Sequence, residues 1–140
     1  MTRNSWAAAV ATVTVIAVIS LGLRVLGGPG RQRLVQSDLR TVRTLGELAQ
    51  HIKFAWESSG KVLPPNLEKF PNSAKQNVIT GQPFTYRTKA ESEYELCATF
   101  ATDSRNLHAQ DTNDFWAHPQ GQYCFQLDAS QQVPQTPYYY

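Results

Sequence analysis

The side chains best equipped for chemistry lie between residues 93 and 124. One run, His108-x-x-Asp111-x-x-Asp114-x-x-x-His118, has a spacing that could converge on a cation. Two imidazoles and two carboxylates could hold Zn²⁺, and the aspartates with Asn113 could offer oxygens to Ca²⁺. The spacing matches neither an EF-hand nor a His-Glu-x-x-His helix. Polar residues in a long loop are the ordinary case, so no metal or other cofactor is expected. His108, Asp111, Asp114 and His118 are the only candidates. Cys97 and Cys124 have no Cys-x-x-Cys or Cys-His context that would make either a nucleophile. Glu93 and Glu95 share a strand face, but acid–base work needs a pocket that nothing here predicts. No phosphate-cradling glycine loop is present. These residues do not predict an enzyme.

The elements that carry them are clearer. In Glu93-Tyr-Glu-Leu-Cys-Ala-Thr-Phe100 the apolar residues Tyr94, Leu96, Ala98 and Phe100 alternate with polar ones. Tyr123, Phe125 and Leu127 do the same in Gly121-Gln-Tyr-Cys-Phe-Gln-Leu127. Alternation marks a half-buried strand. Both cysteines fall in the polar phase, so they share the outer face if the strands pair antiparallel. Opposed Cα atoms would then come within disulfide reach. Two reduced thiols of matching parity are the alternative. A first strand, Phe84-Thr-Tyr-Arg-Thr88, follows the turn Thr80-Gly-Gln-Pro83, and residues 90–93 turn into the second. Residues 101–120 form a long loop.

Ahead of the strands, Val35, Leu39, Val42, Leu45, Ala49, Ile52 and Trp56 recur at helical steps, with Leu48 and Ala55 widening the stripe. This predicts an amphipathic helix over about 34–56, capped at Gly60 and stopped by Pro64-Pro65. In the connector 61–77, Val62, Leu63, Leu67 and Phe70 should pin the chain to the core. Residues 131–140, rich in Gln, Pro and Tyr, read as a disordered tail.

Residues 6–26 carry a single charge, Arg24, and are long enough for a membrane span. Trp6 suits the interface, and Val10, Val15, Ile16, Ile19 and Leu23 face the lipid. A cleaved signal is the rival, but the run is long and no small-residue cleavage site precedes Arg31. The expected order is a flank over 1–5, a span over 6–26, a Gly/Pro hinge over 27–33, and a domain over 34–130. The signals for topology conflict. Arg24, Arg31, Arg33, Arg40 and Arg43 follow the span and argue for a cytoplasmic domain, whereas the cysteines argue for an exported one. An extracytoplasmic domain is expected. With 140 residues and a net charge of +2 spread along the chain, one domain and no nucleic-acid footprint are expected.

The membrane helix, the amphipathic helix, the Gly60…Leu63-Pro64…Leu67 connector and Thr80-Gly-Gln-Pro-Phe-Thr-Tyr86 together resemble type IV pilins and type II secretion pseudopilins. Tyr94-Glu-Leu-Cys-Ala-Thr-Phe100 and Trp116-Ala-His-Pro-x-Gly121-x-x-Cys124-Phe125 look like an uncharacterised group of bacterial membrane-anchored proteins with a pseudopilin-like domain. The resemblance spans about 38–127 and implies an α+β fold with one helix on a three- or four-stranded antiparallel sheet. The chain departs from pilins in lacking a Gly-Phe-x-x-x-Glu processing motif and any carboxylate within 6–26. The expected function is a non-enzymatic, single-pass structural or interaction subunit of a membrane or envelope complex. Its partners would be the membrane and other protein subunits, with Trp116, Tyr138, Tyr139 and Tyr140 as contact residues. An exported sensor or metal-binding module is the alternative, and a filament-forming pseudopilin a third.

Overall fold

The computed structural model describes residues 3–26, 29–77, 80–105 and 115–136. Two helices, α1 (Arg3–Leu26) and α2 (Pro29–Ser58), precede three strands, β1 (Thr85–Thr88), β2 (Glu93–Phe100) and β3 (Gly121–Asp128). The strands form one antiparallel sheet in the order β1-β2-β3, so the protein is α+β. Contacts divide the chain into two units, Met1–Arg33 and Leu34–Tyr140.

The first unit carries α1. At about 1.5 Å rise per residue its 24 residues reach about 36 Å, more than a hydrocarbon core of about 30 Å. Within Ser5–Gly22 the helix is long and apolar enough to cross a membrane. Gly27 and Gly28 of the expected hinge lie outside the described residues. From Pro29 the chain is already helical, so α2 begins ahead of its amphipathic stripe. Proline at the first helical position costs no hydrogen bond and is already set at a helical φ.

In the second unit the stripe of α2 does what its period predicts. Val42, Leu45, Leu48, Ala49 and Ile52 are buried against Tyr94, Leu96, Ala98, Phe100, Phe125 and Leu127 of the sheet. The helix ends where the glycine signal lies. Gly60 has φ +76° and the Lys61 amide donates to the Trp56 carbonyl at 2.9 Å, closing the last turn. Of the expected connector pins, Leu63 is buried and Leu67 and Phe70 pack on the core, but Val62 is 63% exposed.

β2 has the bounds its alternation predicts, and β3 runs one residue further than expected. β1 is shorter than expected, because Phe84 turns into the core before the ladder starts. The register places Tyr94 opposite Leu127, Leu96 opposite Phe125 and Cys97 opposite Cys124. Two loop bonds set the phase of the ladder. The Lys89 amide donates to the Glu93 carbonyl and the Ala129 amide to the Ser92 carbonyl, each at 2.8 Å. Continued along the strands, the odd residues of β2 bond to β1 and its even residues to β3.

Candidate functional site

The cysteines come together as their parity predicts. Cys97 and Cys124 are disulfide-bonded with Cα atoms 3.9 Å apart, at a narrow position between hydrogen-bonded pairs. The face they staple is not simply solvated. Cys97 is 3% exposed and Glu95 9%. As the central strand, β2 is covered on both sides of the pleat. Asn77, Pro83 and Phe84 border Cys97, and the Lys89 ammonium pairs with Glu95 at 2.5 Å. Glu93, Glu95, Gln126 and Asp128 line a shallow recess there. Asp128 is held ionised below the usual carboxylate range, chiefly by the Ser130 amide and hydroxyl donating to it.

Trp116 is a core residue, which corrects its expected role in contact. It is 1% exposed, its ring lies 4.9 Å from that of Phe125, and its Nε1–H donates to the Pro134 carbonyl at 3.1 Å. An indole that buries its body and satisfies its one donor has little left to offer a partner. Its neighbour Phe115 remains open, at 39% exposure. The bond to Pro134 also corrects the reading of the C-terminal segment. Residues 131–136 run along α2 as a strap. Lys53 Nζ donates to the carbonyls of Ala129 and Gln131 at 3.3 and 2.9 Å, and Val133 packs on the core. Gly46 makes room for the strap: a Cβ there would stand 2.5 Å from Thr136 Cγ2. Tyr138, Tyr139 and Tyr140 lie outside the described residues.

Of the candidate cation ligands, His108, Asp111 and Asp114 lie outside the described residues. His118 is 2% exposed and stacked on Phe100 with ring centroids 3.7 Å apart. Burial pushes its pKa below the ordinary 6.5, against the opposing pull of the Pro119 carbonyl and the Asp38 charge. Its backbone closes the foot of the long loop. The His118 amide donates to Ser104 Oγ at 2.9 Å and the Ser104 amide to the His118 carbonyl at 2.9 Å. Among the described residues no three His, Cys, Asp or Glu side chains gather as a metal site.

Other residues that join the elements escape a hydrophobic pattern search. Asp38 is 4% exposed and accepts from the amides of Ala101 and Thr102, at 2.9 and 2.7 Å, and from the Thr102 hydroxyl at 2.6 Å. It fixes α2 to the chain leaving β2. Thr41 accepts from Asn77 Nδ2 at 2.8 Å, tying the connector to the same helix. A carboxylate one turn ahead of Val42, inside the stripe, is the signal that marks Asp38. Tyr86 donates to the Pro64 carbonyl at 2.9 Å, and burial pushes its phenol up to about 12. Tyr94 beside it is raised further by burial. Asp38, Thr41, Asn77 and the Trp116 indole thus tie separate segments together, whereas the Tyr94 hydroxyl has no partner among the described residues.

No match to this chain is found among protein-family models, curated proteins or solved structures.

Proposed function

We propose that this chain is a non-enzymatic, single-span subunit of a bacterial membrane or envelope complex, acting through contacts with other proteins. One observation carries the reading. Trp6, Val10, Val15, Ile16 and Ile19 on α1 are each more than half exposed, while residues 34–140 form a unit with a core of its own. A row of bare aliphatic side chains of this length is stable in hydrocarbon and costly in water. Asp38, Thr41, Asn77 and Trp116 serve internal joints of the second unit, which supports a role without catalysis. The Cys97–Cys124 bond supports an extracytoplasmic position for that unit, because such bonds persist in oxidising compartments. The helix packed on an antiparallel sheet supports, at the level of architecture, the resemblance to pseudopilins.

Alkaline carbonate washing of membranes and labelling of intact cells with a membrane-impermeant thiol reagent test this directly. The chain should stay in the washed membranes, and Cys124, the more exposed cysteine, should label only after reduction. Release by carbonate would overturn the anchor. Labelling that needs lysis but no reductant would place the domain in the cytoplasm.

A further inference from the structure

The sheet has two edges of opposite character. β1 is four residues long, holds Arg87, follows Pro83 and runs into Lys89. Short length, proline and charge are the usual means of keeping an edge from pairing. β3 has none of these. It is eight residues long, pairs with β2 in unbroken register, and is uncharged until Asp128. The ladder phase directs the N–H and C=O groups of Gln122, Cys124 and Gln126 away from β2. Among the described residues nothing bonds to them. Two aromatics lie beside this edge, Tyr123 at 37% and Phe115 at 39% exposure, both packed on Phe125.

We propose that the outer edge of β3 is a docking site for β3 of a second copy of this chain, joining the sheets of both across a two-fold axis. The inference rests on the reading of the protein as an interaction subunit and names one partner. A row of outward amides and carbonyls is matched by another extended backbone. A second copy fits this row in register and in charge. Opposed residues of an antiparallel pair share a face, so the even residues of β3 must meet even residues. An axis at Cys124 sets Gln122 against Gln126 of the other copy and satisfies every outward group of Gln122, Cys124 and Gln126. Tyr123 then meets Phe125 of the other copy on the inner face. No like charges oppose one another within 121–127, as they would if β1 paired with itself near Arg87. Tethering both copies in one membrane raises their effective concentration, so modest pairing suffices.

Full-length chain in nanodiscs or mild detergent provides the test. Two tagged copies, one carrying Gln122→Cys and the other Gln126→Cys, are mixed and oxidised gently with the native disulfide left intact. The mixture should yield a cross-linked pair at least tenfold more efficiently than either variant alone. Gln126→Pro deletes an amide that carries no bond within the sheet, so it should weaken dimerisation at least tenfold, with the melting temperature unchanged at dilutions where both chains are monomeric. Equal cross-linking in all three samples, or an undiminished dimer in Gln126→Pro, would overturn the register and the docking site. A wild-type chain that is monomeric at all concentrations yet co-purifies with other membrane proteins overturns self-pairing alone. One that is monomeric and co-purifies with none overturns the subunit reading as well.

Discussion

Asp38 shows how a single side chain can hold this domain shut. Its carboxylate is the acceptor for two buried backbone amides and a hydroxyl, all on the segment that leaves the central strand. Asp38→Ala should cost about 2–4 kcal/mol, since it removes charge-assisted bonds and strands the amides. Asp38→Asn keeps one acceptor and should cost roughly half of that range. Denaturant unfolding of the detergent-solubilised chain measures both, and a loss below about 1 kcal/mol for Asp38→Ala would refute the role. His118 sets a pH response. Burial holds its folded-state pKa below 6.5, so the unfolded chain takes up the proton first. Stability is full above pH 6.5 and is lost as the pH falls from there toward the lower folded value. His118→Phe, which keeps the ring stack on Phe100, should flatten this part of the stability profile. At this scale the sequence was only partly readable. The parity of Cys97 and Cys124 was a local fact and survived folding. Whether Trp116 covers the sheet or meets a partner was not readable, because an aromatic in a polar loop looks the same whether it turns inward or outward.

At the level of elements, β2 was legible to the residue because period-2 alternation is a property of the strand itself. The stripe of α2 was equally plain from Val42 to Ile52. The strap over 131–136 was not, since its composition resembles a disordered tail and its anchors lie far away, on Lys53, Gly46 and Trp116. A mid-helix glycine with no turn to make is the one local hint of that packing. Gly46→Ala offers a sharp test because two effects oppose each other. Alanine favours the helix by about 1 kcal/mol, but its methyl collides with Thr136. The single variant should loosen the strap, seen as faster proteolysis after residue 130. Gly46→Ala combined with Thr136→Gly should restore protection and raise the melting temperature above that of Thr136→Gly alone. If the single variant already protects the strap as well as wild type, the close approach is unimportant.

For the whole molecule, the fold class followed from the order of periodicities, helix then meander, while the topology could not. Arginine placement and cysteine pairing are set by different compartments' chemistry, and no packing argument reconciles them. What packing does supply is an asymmetry, with one sheet edge blunted and the other open. The disulfide has a further consequence of connectivity. Cys97 and Cys124 close the chain between them into a covalent ring that contains the end of β2, the long loop and the start of β3. A backbone cut anywhere in that ring, for example by trypsin after the exposed Arg105, opens the circle without dividing the protein. The nicked chain should run as one band without reductant and as two with it. Such a molecule keeps its parts in place after proteolytic damage at Arg105.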